Sequence, residues 1–441
     1  MSDTSPAALR RAILGIALPS MLTNVATALF GLADMWVIGR LGEAAAQGGV
    51  EVGAKLLMTL LIVFNFLRSG TTALTAQAAG RGDDAAQAAT LARSLAVAGG
   101  VGVLLLAAWP LIVPLLLDTL GAAGDVARQA RTYVDIRYAG GLAWLVNAAL
   151  TGWLIGRRRV REVLAVEVGS NLFHVALDLA LVLGFGLGVA GVATATLCSE
   201  GAKLLALAAV TAREAPARTL PRLFRDRATW RAAEVGALLR LNRDLFGRTL
   251  LLMAATVLLT RAGAQQGAVV LAANAILYQL FILSALVLDG FESAAQVLCA
   301  EALGARDRAR FAWLTRTIMA WAAGAAALIA AAYWVWGGEL AASFSADPVV
   351  AATTSAYIGW AVALPMLGVA SFVLDGVFIG SGWTRAMLLT MAAALAVFVS
   401  ALALGAGYGN HGLWAAFCLF FVARATGQAI ALPRLVRHNF G

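Results

Sequence analysis

FGLADMWVIGRLG, residues 30–42, decides how this chain is read. It closes a run from Ala12 to Ile38 in which Asp34 is the sole ionisable side chain. About 20 apolar residues rising roughly 1.5 Å each cross the hydrocarbon of a bilayer as a helix, so the run reads as a membrane span. A carboxylate inside such a helix is costly and marks a functional position. Composition extends the reading to the whole chain of 441 residues, which is 61% hydrophobic and 13% charged with a mean hydropathy of +0.83. A soluble domain carries about 25% charged residues. The expected fold class is an all-α polytopic membrane protein.

The net charge of +9 would suggest nucleic acid in a soluble protein. Here the excess is arginine in the loops, the usual determinant of membrane orientation, and nucleic acid is excluded as a partner. Lysine occurs only as Lys55 and Lys203, a scarcity read as codon bias. Cys198, Cys299 and Cys418 lie far apart in apolar runs, which indicates neither a disulfide framework nor a metal cluster. Met1–Arg11 precedes a run too long for a signal-peptide core, so no cleavable signal is expected.

About twelve transmembrane helices are expected, near 12–38, 50–79, 88–117, 130–156, 162–185, 188–211, 240–262, 268–302, 310–337, 352–381, 386–408 and 411–433. The long polar segment between the sixth and seventh holds Arg213, Arg218, Arg222, Arg225, Arg227 and Arg231 and reads as a basic surface helix. The domains are then an N-lobe at 1–211, a basic cytoplasmic linker at 212–239 and a C-lobe at 240–441. Loops on the side of the N-terminus hold most of the arginines, which places both termini in the cytoplasm.

An internal repeat joins the halves. TAQAAGRGDDA from Thr75 lies over CAEALGARDRA from Cys299, at an offset of 224. The same offset carries Tyr133 to Tyr357 and LTGWLIGRRRVR (Leu150–Arg161) to LDGVFIGSGWTR (Leu374–Arg385). About six spans separate equivalent positions, so the two six-helix repeats are parallel, a transporter architecture with the substrate path between lobes.

An ordered set of strings then carries a family resemblance: ALPSMLTN from Ala17, GLADMWVIGRLG, FLRSGTTALTAQAAG, LDLALVLGFGLGVAGVATATLCSE, LNRDLFGRTLLL, LDGFESAAQ with GARD, LDGVFIGSGWTR and GNHGLWAA from Gly409. The chain resembles the multidrug and toxic compound extrusion (MATE) family, in its DinF-like bacterial branch, over nearly the whole length. The resemblance implies twelve helices in two six-helix lobes forming a V. It also implies efflux of amphipathic, often cationic compounds driven by proton or sodium entry.

Within the spans, Asn171, His174 and Asp178 are spaced three and four apart and share one helix face, with Thr194, Thr196 and Glu200 on the next span. Two carboxylates facing one cavity can hold a proton or a cation between them. The resemblance implies that Asp34 pairs with the positions now held by His174 and Asp178, and with Thr196. The family commonly has asparagine where His174 stands. Imidazole is a nitrogen ligand and a proton carrier, whereas an amide oxygen suits sodium, so the substitution tilts the expectation to protons. Sodium would take Asp34, Asn171, Asp178 and Thr196. Packing and hydrogen bonding alone are the competing account of each residue.

In the C-half, Asp289 and Glu292 lie three apart, and Asp375 matches a family carboxylate implicated in cation binding in another branch. Asp375 therefore joins Asp34, Asn171, His174, Asp178 and Thr196 as a coupling candidate. Asp289 and Glu292 could instead pair with an intramembrane arginine such as Arg424. Arg68, which like Arg424 interrupts an apolar run, is expected to have an acidic or carbonyl partner. Candidates for a substrate cleft are Met35, Trp36, Asn65, Arg68, Tyr278, Asp289 and Glu292, with Phe64, Trp144, Phe281, Met366 and Phe372 as further aromatic and methionine residues. Ordinary helix packing explains any one of them equally well.

The expectation is a secondary-active antiporter in the bacterial inner membrane, exchanging amphipathic cations for protons by alternating access. It is expected to act as a monomer with no cofactor beyond the coupling ion. A sodium-coupled antiporter and a flippase for lipid-linked envelope precursors are the alternatives. An enzyme is not expected, because His174, His411 and His438 are widely separated and no nucleophile or zinc pattern accompanies them.

Overall fold

The computed structural model describes residues 5–119 and 124–441. The described chain is helical: α1 (Pro6–Gly39), α2 (Ala44–Ile62), α3 (Phe66–Gly80), α4 (Asp84–Ala107), α5 (Trp109–Thr119), α6 (Gly124–Tyr138), α7 (Gly141–Gly156) and α8 (Val160–Asp178). There follow α9 (Gly188–Arg213), α10 (Leu220–Arg225), α11 (Ala232–Ala264), α12 (Ala268–Gly304), α13 (Arg308–Phe344), α14 (Pro348–Gly380), α15 (Thr384–Leu404) and α16 (Gly409–Phe440). Eleven helical stretches are long and apolar enough to span a membrane, and α6 with α7 makes a twelfth if taken as one span bent by 51°. The bend falls at Gly140–Gly141, where two residues without side chains leave the helix easily deformed. The span expected at 88–117 is broken instead at Ala108, just before Pro110, whose missing N–H cannot continue the ladder of α4.

The linker is not the single basic surface helix expected. It forms short turns at 215–219 and 227–230 around α10, each opened by a helix-starting residue: Pro216, Pro221 and the capping carboxylate of Asp226. The seventh span already begins at Ala232, inside the range assigned to the linker.

Two compact units emerge, Leu22–Leu239 and the residues up to Met21 together with Arg240–Gly441. The linker belongs to the first because polar contacts tie it there. Glu214 takes Arg157 at 2.9 Å and Arg159 at 2.8 Å, and Arg93 donates to the Thr229 carbonyl at 2.8 Å. The chain passes from one unit to the other within α1, two residues beyond Pro19. In the second unit, the first half of α1 meets α12, where a side chain at Gly290 would collide with the Ala17 carbonyl and Met21.

The 224 offset is visible in the local structure of each unit. A Cβ on Gly152 would strike the Arg68 carbonyl, and one on its equivalent Gly376 would strike the carbonyl of Glu292, the equivalent of Arg68. One turn on, Gly156 and Gly380 meet Thr72 and Gln296 in the same relation. Asp83 caps α4 through the Ala86 amide at 2.8 Å, and its equivalent Asp307 caps α13 through the Arg310 amide at 2.9 Å. Even the left-handed turn residues correspond, Gly82 (φ 68°) with Arg306 (φ 55°) and Arg158 (φ 63°) with Gly382 (φ 73°).

Candidate ion-coupling site

Helix α8 places Glu167, Asn171, His174 and Asp178 on one face by successive steps of four, three and four residues. All four meet either α1 or α9. His174 and Asp178 are fully buried and Asp34 is 4% exposed. His174 Nε2 lies 2.5 Å from Asp34 Oδ1 and 3.0 Å from Asp178 Oδ2, so one ring nitrogen faces both carboxylates. The contact with Asp34 is the shorter, and Asp178 shares the same nitrogen. Immediately after Asp178 the chain widens into a π-helical turn at Leu179–Gly184, a distortion common beside functional residues.

The ligand atoms of Asp34, His174 and Asp178 all lie within 4.8 Å of one another. Two ionised carboxylates with a neutral imidazole carry two uncompensated negative charges there. One proton places an imidazolium between them, and a second proton neutralises the set. Chemically, the set is able to accept protons. As a cation site it would offer two oxygens and one nitrogen.

Thr196 and Asn171 stand one step back. Ser199 Oγ on α9 lies 3.5 Å from His174 Nδ1 and donates to the Thr196 carbonyl at 2.9 Å, while the Thr196 hydroxyl donates to Val192 O in its own helix. Asn171 Nδ2 donates to the Ala26 carbonyl of α1 at 2.9 Å. Asn171 thus fastens α1 to α8 two turns away from Asp34.

Several polar groups escaped the sequence reading. Arg137 on α6 contacts the Tyr133 hydroxyl at 2.5 Å with its guanidinium 5.6 Å from that ring, and the charge of Asp34 acts on both residues. Glu167 joins Lys203 of α9 at 2.6 Å and the Thr27 hydroxyl of α1 at 3.2 Å. Asn147 donates to Glu200 at 2.8 Å. Each is a charged or amide side chain inside an apolar span, and that was the available signal.

The C-terminal unit is organised differently. Asp375 is fully buried and accepts from Arg248, from Arg424 through Nε at 3.2 Å and through Nη2, and from Gln428 at 2.7 Å. Asp375 was expected to hold a coupling cation, but two permanent guanidinium charges already neutralise it and would repel another cation. Arg424 accordingly takes Asp375, not Asp289 or Glu292 as the sequence suggested. Asp289 and Glu292 are half-buried, and their charges act on Arg248. Arg68, expected to have an acidic or carbonyl partner, has none for its guanidinium among the described residues. It is half-buried, so desolvation does not demand one.

The cleft candidates divide between the units. Met35 packs against the core beside Val37 and Ile38, and Trp36 is exposed with the Arg40 guanidinium 4.7 Å over its ring. Asn65 is exposed at the turn into α3. Tyr278 is half-buried at the edge of an aromatic cluster, with its ring 5.7 Å from Phe281 and 6.3 Å from Phe417. Phe281 and Phe372 are buried in that cluster beside Phe421, so packing accounts for them.

The chain matches the sequence profile of MatE over residues 19–180 and 246–404. DNA damage-inducible protein F of Escherichia coli (strain K12) is 34% identical over 429 residues, covering 97% of this chain and 93% of that protein. Probable multidrug resistance protein NorM of Thermotoga maritima is 29% identical over 196 residues, 44% of this chain and 42% of that protein. Among solved structures, an outward-facing multidrug resistance MATE family transporter of the MOP superfamily aligns with a TM-score of 0.85 at 19% identity, over 98% of this chain and 97% of that one.

Proposed function

Because this chain belongs to the MatE (MATE) family of membrane transporters, we propose that it exports amphipathic, cationic compounds in exchange for protons by alternating access. The single observation carrying the choice of ion is His174 Nε2 set between Asp34 and Asp178. A proton entering this site converts repelling carboxylates into a hydrogen-bonded set, and that change acts directly on α1, which carries Asp34. Proton entry and substrate exit then bias one bistable element. The transporter acts as a monomer in the bacterial inner membrane with both termini cytoplasmic, in keeping with the arginine distribution.

Two alternatives fit less well. Sodium prefers oxygen ligands, and the ring nitrogen occupies the centre of the donor set. A flippase for phosphate-bearing lipids needs several uncommitted cations, whereas of the two arginines suited to that role Arg424 is bound, with Arg248, to Asp375, and Arg68 is a single half-buried one.

The test is dye efflux from proteoliposomes under separately imposed proton and sodium gradients. The double variant Asp34→Asn/Asp178→Asn should keep the fold and lose proton-driven efflux by about a hundredfold or more. Efflux by that variant at the wild-type rate, or wild-type efflux driven by sodium alone, would overturn the proposal.

A further inference from the structure

The Glu167–Lys203 pair, its carboxylate buried and its ammonium partly exposed, lies outside the coupling site, yet it is aligned with it. Glu167 is on the same face of α8 as Asn171, His174 and Asp178, and touches the same helix α1 through Thr27. It is seven residues from His174, a rise of about 10 Å. Lys203 keeps its side chain 18% exposed and lines a cavity of about 430 Å³ between α8 and α9, together with Glu162, Ser170 and Phe173. The cavity lies toward the start of α8, next to the arginine-rich loop 157–161.

The choice of lysine is informative. Only two of the 33 basic residues are lysine, and the other, Lys55, is exposed. Lys55 is in α2 but turned out to the surface, and the other cations named inside the spans, Arg68, Arg137, Arg248 and Arg424, are arginine, which does not release its proton, whereas an ammonium does. The charges around Lys203 also balance. Glu167 and Glu200 supply two negative charges, and Arg68 with the ammonium two positive ones. A proton passing through changes this cluster between zero and one unit of charge.

We propose that Glu167 and Lys203 form a second proton station, handing the proton taken at Asp34–His174–Asp178 to the cavity beside loop 157–161. The inference rests on the proton-coupled reading above. The proton travels along α8 past Asn171 through water and binds a Glu167 oxygen, making an O–H bond and opening the ion pair. Lys203 releases one N–H proton to water in the cavity. The neutral amine then takes the proton from Glu167, restoring carboxylate and ammonium. One proton enters, one leaves, and no other bond changes.

Lys203→Arg separates this role from a structural one, because arginine keeps the charge and the pairing but not the release. In proteoliposomes, proton-driven dye efflux by Lys203→Arg should fall at least about tenfold. Dye exchange without a gradient, and the melting temperature in detergent, should match the wild type. Wild-type efflux by Lys203→Arg would overturn the inference. Should that variant fail to fold, Glu167→Gln/Lys203→Met replaces the pair with an uncharged one and carries the same expectation, and normal proton-driven efflux by it would be equally decisive. Wild-type protein that ignores a proton gradient removes the coupling reading and this inference together. Proton-driven wild type alongside an equally active Lys203→Arg removes the inference alone.

Discussion

Each compact unit buries a carboxylate in its interior, and the two have opposite kinds of partner. Asp178 lies 3.0 Å from an imidazole nitrogen that also faces Asp34, and an imidazole is a group able to gain or lose a proton. Asp375 is held by two guanidiniums and an amide, partners that keep their charge or neutrality at any physiological pH. The 224 offset sharpens the contrast. Asp34, His174 and Asp178 correspond to Leu258, Phe398 and Leu402, while Asp375 corresponds to Thr151. Arg68 and Glu200 correspond to Glu292 and Arg424, an exchange of sign at two positions. The same backbone repeat thus supports an imidazole–carboxylate cluster in one unit and a carboxylate neutralised by two guanidiniums in the other.

The comparison is most easily broken at Asp375. Asp375→Leu leaves Arg248 and Arg424 buried and unpaired, and unfolding in detergent should show a loss of about 3–5 kcal/mol. Asp178→Asn strands no permanent charge and should cost no more than about 1 kcal/mol. Equal costs at the two positions would show that the N-terminal site is as rigidly paired as the C-terminal one. A smaller effect follows from His174→Asn, which substitutes an oxygen ligand for the proton carrier. Proton-driven efflux should drop by roughly a hundredfold and sodium-driven efflux appear, measured with the two gradients imposed separately. Persistence of the proton response would place the coupling on the carboxylates alone. The smallest effect concerns the shared turn geometry. Arg306 holds φ 55° where its counterpart is Gly82, so Arg306→Gly should raise thermal stability by about 0.5 kcal/mol, the relief of left-handed strain partly offset by a more flexible unfolded chain.

Much of this was legible in the residues. The run ending at Ile38 announced a span, the matched strings around Gly152/Gly376 and Gly156/Gly380 announced the repeat, and the spacing of Asn171, His174 and Asp178 announced a shared face. Other features were hidden because they are properties of pairs distant in sequence. Asp375 is a cation-binding candidate in the sequence, and its neutralising partner Arg248 stands 127 residues away. The roles of Arg137 and Glu167 were likewise hidden, because their partners Tyr133, Thr27 and Lys203 become visible only when the helices are packed. The linker misled because its arginines suggested a helix, while its prolines and the capping Asp226 cut it into turns.

By itself, then, the sequence determined a helical membrane protein with a twofold repeat and a small set of intramembrane charges, since hydrocarbon admits few other structures and penalises every charge within it. The tertiary structure decided what those charges do. A carboxylate beside an imidazole and one beside two guanidiniums are chemically different groups, and which neighbour each meets depends on helices brought together from distant parts of the chain.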